Sequence, residues 1–209
     1  GLYEADGYIA VRAVVPAQRI ENGVVRIRVV EGAVAEVVLR GDLGAAAPKV
    51  RRLLERLVGR RPLSQAEAER QLLLARDLPG VSLLAALRAR ESETPGELVL
   101  LAEGVLTKAD GFASVSNLAS DFAGPFVATA GAAVNSLALP GDRLEAIGFS
   151  TLEIGEEALG QVTYRAPVGP DGLTLRLLAS TTVSETGEAL SILDIDYRSE
   201  ILTAAVDYA

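Results

Sequence analysis

The sequence of 209 residues contains no cysteine, no histidine and no methionine. Without cysteine there is no disulfide framework and no thiolate chemistry, which suits many exported bacterial proteins but fixes no compartment. Without histidine the chain lacks the usual general base and the commonest transition-metal ligand, so most hydrolases and zinc enzymes are disfavoured. Because methionine is absent even at position 1, we expect an internal piece of a longer protein or a processed form.

Signatures of catalysis are missing as well. Gly148-Phe149-Ser150 lacks the second glycine of a nucleophile elbow, and no glycine-rich phosphate loop opens a helix. We therefore expect no enzyme, no catalytic residue, no cofactor and no metal. Two acidic pairs offer oxygen ligands to a hard cation, but solvated acidic loops are the preferred interpretation: Asp194 with Asp196, and Glu156 with Glu157.

The net charge of −8 is unevenly distributed. Residues 1–104 carry 15 basic and 14 acidic side chains, whereas residues 105–209 carry 5 basic and 14 acidic ones. Phosphate binding needs a basic stripe that neither half offers, so no nucleic-acid partner is expected. No run of about 18 apolar residues predicts a transmembrane helix, although membrane strands need only about ten residues of alternating polarity.

The stretch 59–81 predicts a helix with a firm start and end. Pro62 blocks continuation of a preceding helix, and Ser64 followed by Glu67 forms a capping box, so the helix begins at about Ser64. Pro79 and Gly80 end it. Its packed face is predicted from apolar residues at helical spacing: Ala68, Leu72, Leu73 and Ala75.

Around this helix, residues 33–104 predict one complete α+β unit of order β-α-α-β-β. A strand ends at Gly41, and a helix follows that has Pro48 near its first position and an apolar stripe of Val50, Leu53, Leu54 and Leu57. Two further strands flank a turn over Glu93, Thr94, Pro95 and Gly96. Residues 1–32 predict two strands without a helix, joined by a turn at Asn22 and Gly23, and so the remainder of an earlier domain.

From Val105 onward helical periodicity gives way to alternation of polar and apolar residues. About six antiparallel strands with two different faces are predicted over 105–209. Short turns at 135–142 and 167–172 alternate with looser links near 117–124, 153–159 and 185–199. Four aromatic residues near strand ends fit either a girdle at a lipid interface or an ordinary sandwich core: Phe126, Phe149, Tyr164 and Tyr208.

In collinear order these segments resemble two-partner-secretion outer-membrane transporters of the haemolysin-activator type. GVVRIRVVEG resembles the closing strand of a first POTRA domain, GRRPLSQAEAERQLLLARDLPGV the helix of the second, and NSLALPGDRL with YRAPVGPDGLTL the first two periplasmic turns of the barrel. Pro140 departs from the family pattern, which commonly has a small residue there. The resemblance implies domains at 1–32, 33–104 and 105–209, with about six strands of a sixteen-stranded transmembrane β-barrel.

The resemblance implies type V protein transport without ATP. POTRA domains in the periplasm would hold an unfolded, β-helical exoprotein, which would then cross the bacterial outer membrane through the barrel in contact with outer-membrane lipid. A POTRA sheet edge binds a client by strand addition, for which we nominate Val81, Leu83, Ala85 and Leu87, although Val81 to Arg90 also fits a covered core strand. The polar positions expected to line the pore are Thr163, Arg165, Thr174, Arg176 and Thr203.

Two alternatives stay open from the sequence. One is an outer-membrane assembly factor of the BamA or TamA kind, and the other is a soluble adhesive or structural β-domain that carries a POTRA-like module. A soluble sandwich would bury its apolar strand faces, whereas a barrel would leave an apolar exterior exposed at Phe126, Ala130, Leu175 and Val206.

Overall fold

The computed structural model describes residues 2–20, 23–91, 94–117, 126–151, 157–169, 171–185 and 196–208. The chain forms two compact units. The first comprises Gly1–Asp77 and Val81–Leu106, and the second comprises Leu78–Gly80 and Thr107–Ala209. Within the described ranges, no helix is long and apolar enough to cross a membrane.

The described part of the first unit contains seven strands and three α-helices. Along the chain they are α1 (Leu2–Ala5), β1 (Tyr8–Ile9), β2 (Val11–Val14), β3 (Arg28–Glu31), β4 (Ala33–Arg40), a 3-10 turn (Gly44–Ala46), α2 (Ala47–Glu55), β5 (Leu63–Ser64), α3 (Gln65–Arg76), β6 (Val81–Ala89) and β7 (Glu97–Leu106). The main sheet has the order β4-β7-β6, with β4 parallel and β6 antiparallel to β7. This mixed sheet and its two main helices confirm the predicted β-α-α-β-β order; the short β5 immediately before α3 was not predicted.

Both main helices begin where the sequence predicts. The Ser64 hydroxyl accepts a hydrogen bond from the Glu67 N–H at 3.5 Å, which caps α3, while the Glu67 carboxylate pairs with Arg60 at 3.3 Å. Pro48 lies in the first turn of α2, and the predicted stripe is buried, with Val50 and Leu54 fully inaccessible. These side chains form the core of the first unit.

The predicted packed face of α3 is partly wrong. Leu73 is 55% exposed, whereas Gln71 and Leu74 are buried together with Ala68 and Ala75. The reason is that Leu72, Leu73 and Leu74 are consecutive, so the sequence does not define which of them faces the sheet. Contacts with the rest of the unit determine which face of α3 is turned towards the core.

The region before β4 also differs from prediction. A short helix, α1, is present, and the second strand begins only at Arg28, so β2 and β3 are separated by a long connection. The side-chain amide of Gln18 replaces strand pairing there, since it donates to the Arg26 carbonyl and accepts from the Arg26 N–H, both at 2.8 Å.

The second unit is one six-stranded antiparallel sheet in sequence order. Its strands are β8 (Ala109–Ser116), β9 (Val127–Asn135), β10 (Arg143–Thr151), β11 (Glu157–Val168), β12 (Leu173–Glu185) and β13 (Asp196–Tyr208). This confirms the predicted antiparallel strands. Several sequence-based expectations lie wholly or partly outside the described residues: the turns at Asn22, Glu93 and Pro170, the three looser links, and the acidic pairs of Glu156 and Asp194.

Candidate functional site

The strand β6 lies at an edge of the main sheet of the first unit. Among the described strands it pairs with β7 alone. The N–H of Arg90, just beyond β6, donates to the Glu97 carbonyl at 2.9 Å, so even-numbered residues of β6 direct their backbone groups towards β7. The backbone groups of Val81, Leu83, Ala85 and Leu87 therefore point to the free edge.

Burial divides β6 into two parts. The side chains of Val81 and Leu83 are buried, whereas every residue from Leu84 to Ala89 is exposed. Leu84 is 72% exposed and Leu87 is 37% exposed. The strand is thus a covered core strand at its start and an accessible apolar edge in its second part, and client binding at that edge stays a prediction.

In the second unit, all five nominated pore residues lie on one face of the sheet. Strand register places Arg165 between Arg143 and Arg176, and Thr163 opposite Leu178, which in turn faces Thr203. Thr174 follows on the same face two residues before Arg176. We call this the polar face. It also carries the side chains of Asp110, Asn135, Glu145, Gln161, Ser180 and Asp207.

The opposite face is mostly apolar, and we call it the apolar face; its polar residues lie towards one end of the sheet and include Ser150, Thr181, Arg198 and Glu200. It is the more exposed of the two: Val115 is 67%, Leu202 is 87% and Val206 is 63% exposed. On the polar face, by contrast, Asn135, Thr151 and Thr163 are buried. Soluble sheets bury their apolar face, so this distribution is the reverse of theirs.

A charged cluster closes one end of the polar face. The Arg143 guanidinium donates to both carboxylate oxygens of Asp110 at 2.7 and 2.9 Å, and to Glu145 at 3.0 Å. Asn135 accepts a fourth bond from Arg143 at 3.0 Å and donates to the Thr107 carbonyl at 2.8 Å. Strands β8, β9 and β10 are thereby joined by side chains as well as by backbone bonds.

Next to this cluster, the turn between β9 and β10 is organised around the fully buried Asp142. Its carboxylate accepts backbone N–H bonds from Leu137 at 2.7 Å, Ala138 at 3.0 Å and Leu139 at 2.8 Å, and a further bond from the Tyr164 hydroxyl. Burial opposes ionisation, but these four donors outweigh it and hold the pKa of Asp142 below its usual value.

The sequence identified this turn but not the role of its aspartate. The motif N-S-L-A-L-P-G-D contains the signal, because an aspartate that closes a tight turn is a strong acceptor for unpaired backbone N–H groups. Asp110 and Arg143 carry no comparable local signal, since they lie 33 residues apart and meet only through strand register.

The aromatic positions require one correction. Phe149 lies opposite Thr129 and Leu159, on the polar face, so it cannot belong to a girdle on the apolar exterior. Tyr164 and Tyr208 do lie on the apolar face, and Phe126 precedes β9 and is 49% exposed. The period of two in β10 is weak, and this is why its register was uncertain from sequence.

Comparisons with known proteins agree with this architecture. Residues 1–32 match the family described as POTRA domain, ShlB-type. The heme/hemopexin transporter protein HuxB of Haemophilus influenzae (strain 86-028NP) is 30% identical over 145 residues, which are 68% of this chain. The chain covers only 25% of the length of HuxB.

Two solved structures show the same fold. CdiB from Escherichia coli matches 98% of this chain with a TM-score of 0.69 at 16% identity, and the match covers 38% of CdiB. BamA from Haemophilus ducreyi lacking POTRA domains 1-3 matches 96% of the chain with a TM-score of 0.57 at 13% identity, and the match covers 38% of that chain.

These matches confirm the predicted fold class, a POTRA region followed by strands of an outer-membrane barrel. HuxB is described as a transporter protein, which agrees with the expectation that the chain is not an enzyme. By these likenesses the chain resembles the two-partner-secretion transporters, a family of outer-membrane proteins with periplasmic POTRA domains, as the sequence predicts.

Proposed function

We propose that this chain supplies POTRA and barrel segments of a transporter that binds an unfolded exoprotein in the periplasm and secretes it through a β-barrel pore. The observation that carries the proposal is the distribution of exposure in the six-stranded sheet. Its apolar face is exposed while its polar face holds buried polar side chains, which is the opposite of a soluble sheet. In a membrane barrel the apolar face meets lipid and the polar face meets water.

In this proposal the polar face is the wall of the secretion pore. Arg165, Thr174, Arg176 and Thr203 would contact water and the passing client, which is expected to be a β-helical exoprotein once folded outside. Thr163 lies on the same face but is buried. The Arg143 cluster would stiffen the periplasmic end of that wall, because it ties three strands together. No covalent chemistry is required of any residue.

Client recognition is assigned to the edge strand β6. An extended client segment can add to the free edge through backbone hydrogen bonds at Ala85 and Leu87, as POTRA-like sheet edges allow. The domain division proposed with this function is a POTRA remainder at 1–32, a second POTRA domain at 33–104 and barrel strands at 105–209. The family match at residues 1–32 supports the first of these boundaries.

An assembly factor that inserts other membrane proteins is the second candidate. It is favoured less, because the BamA likeness has the lower TM-score, 0.57 against 0.69 for CdiB. A soluble adhesive domain is disfavoured by the exposure of Phe126 and by that of Val206 on the apolar face. Such a domain would hide these side chains from water.

The deciding experiment restores the full-length parent protein in an outer-membrane background. Secretion of a co-expressed large exoprotein is measured with and without residues 33–104. Loss of secretion while the barrel stays inserted supports client binding by the POTRA region. Unchanged secretion, with falling levels of other outer-membrane proteins, would establish the assembly function instead.

The isolated chain provides a simpler test of the membrane assignment. Its open sheet edges and apolar face predict that residues 1–209 aggregate in plain buffer and become monodisperse in detergent. A cooperatively folded monomer in plain buffer would contradict the barrel assignment.

A further inference from the structure

The free edge of β6 is partly occupied by a side chain from α3. Nε of Arg76, in the last turn of that helix, donates a 2.9 Å hydrogen bond to the carbonyl oxygen of Leu83. Leu83 is an odd-numbered residue of β6, so this carbonyl is one of the groups that face away from β7. It is therefore an acceptor that an added strand would otherwise use.

The remaining edge is open from Ala85 onward. Ala85, Leu87 and Ala89 direct their backbone groups outward, and no hydrogen bond to the outward-facing N–H or C=O of these three residues is found in the described part of the chain. The two halves of β6 thus differ in access as well as in burial. Val81 and Leu83 are buried on the helix side, and the Leu83 carbonyl is capped by a guanidinium.

From this contact we infer that Arg76 closes the first part of the β6 edge and so fixes the register in which a client strand adds, confining it to Ala85–Ala89. The inference rests on the proposed function, because it assumes that β6 receives the client. A strand that extended towards Val81 would have to displace a charge-assisted hydrogen bond, which is a stronger bond than the neutral one that would replace it.

The side chains around the open part define the occupant. Leu84 and Leu87 offer exposed apolar surface on opposite faces of the strand, which suits an extended segment with apolar residues on both sides. Arg88 is exposed and forms no ion pair within the described ranges, whereas the neighbouring Arg90 pairs with Glu97 at 3.6 Å. The structure thus fits an apolar segment of the secreted client with an acidic residue beside Arg88.

Disulfide trapping tests this register directly, because the chain has no native cysteine. Single cysteines replace Ser82 or Ala86, two exposed residues on the same face of β6, in residues 1–209 held in detergent micelles. The probe is a nine-residue synthetic peptide with valines on both faces of the extended strand, one glutamate and one cysteine. We expect trapping at Ala86→Cys and none at Ser82→Cys.

Removal of the guanidinium should open the closed part. In an Arg76→Ala background the Ser82→Cys variant should be trapped as well, and peptide affinity should rise about fivefold to tenfold, because one further acceptor becomes available. Arg70→Ala removes the same charge from the same helix away from the edge and should leave the trapping pattern unchanged. Circular dichroism confirms that each variant is folded.

The outcomes separate the inference from the proposed function. Equal trapping at Ser82→Cys with and without Arg76 would overturn the closing role of Arg76 while leaving β6 as the client strand. Absence of trapping at Ala86→Cys in every background would overturn strand addition itself. Charge reversal in Arg88→Glu should weaken binding of the glutamate peptide and strengthen binding of a lysine counterpart, and equal binding of both peptides would refute the acidic occupant.

Discussion

The hydroxyl of Tyr164 donates a 2.7 Å hydrogen bond to Oδ2 of Asp142 and so ties β11 to the turn between β9 and β10. The same oxygen accepts the N–H groups of Ala138 and Leu139. A single buried carboxylate therefore organises a turn and fastens it to the strand beyond its own hairpin. Ser136, which adopts a positive φ of 55°, closes the turn through its hydroxyl, which accepts from the Gly141 N–H at 3.0 Å.

Replacement of Asp142 by asparagine should destabilise the second unit by about 2 to 3 kcal/mol. The amide keeps one acceptor oxygen but places an NH₂ group against N–H donors, so buried hydrogen-bond donors lose their partner. Urea unfolding in detergent micelles measures the loss. The control Tyr164→Phe removes only one donor and should cost about 1 kcal/mol. Equal stability of Asp142→Asn and the parent would show that the turn does not depend on this carboxylate.

The same carboxylate should confer a pH dependence. Because its pKa is lowered in the folded state, its contribution is fully present above the pKa of the unfolded chain and is lost as pH falls through the folded pKa. We expect the stability difference between the parent and Asp142→Asn to be constant near neutral pH and to shrink at acid pH. Unfolding curves recorded over a pH series test this. If the difference in unfolding free energy between the two proteins grew on acidification, the predicted direction of the pH dependence would be wrong.

Local signals explain why the first unit could be predicted well. The Ser64 cap, Pro48 and the stripe of α2 are short-range features, and each fixes a helix boundary or a helix face by itself. The buried face of α3 could not be predicted, because Leu72, Leu73 and Leu74 are consecutive and equally apolar. Only packing against the sheet determines which of them is buried. The contact between the Gln18 side chain and the Arg26 backbone could not be predicted either, because an amide side chain that bonds like a paired strand leaves no periodic pattern in the sequence.

For the candidate site, the sequence predicts on which face of the sheet each residue lies, but it does not predict the side-chain contacts. Alternation placed Thr163, Arg165, Thr174, Arg176 and Thr203 on one face, because a period of two is a property of the strand alone. The cap that Arg76 places on Leu83 and the bond between Asp110 and Arg143 depend on packing and register instead. The weak alternation in β10 likewise concealed that Phe149 lies on the polar face.

Two glycines of the first unit should respond very differently to alanine. Gly41 and Gly59 both have positive φ, 86° and 77°. A Cβ on Gly41 would collide with the carbonyl oxygen of Gly104 in β7, whereas no described atom lies within 4 Å of a Cβ on Gly59. Gly59→Ala should therefore cost only the backbone strain, about 1 to 2 kcal/mol.

Gly41→Ala should cost at least about 3 kcal/mol, because steric overlap with a central strand adds to the same strain. Thermal unfolding followed by far-UV circular dichroism compares the two variants, and loss of the folded state only in Gly41→Ala would agree with the prediction. Similar losses would mean that β7 moves away at little cost, and the close approach of Gly41 to Gly104 would then not be a constraint on the fold.

Adjacent residues of β13 give the sharpest test of which face meets lipid. Leu202 lies on the apolar face and is 87% exposed, and Thr203 lies next to it on the polar face. A lysine at Leu202 would place a charge in hydrocarbon at a cost of about 2 to 4 kcal/mol near the bilayer midplane, whereas a lysine at Thr203 would stay in water. In the full-length parent, Leu202→Lys should reduce the fraction of heat-modifiable, folded barrel in outer membranes, and Thr203→Lys should leave it near the parent level. Equal tolerance of both lysines would place Leu202 in water and contradict the lipid-facing assignment, because the two variants differ only in the face that carries the charge.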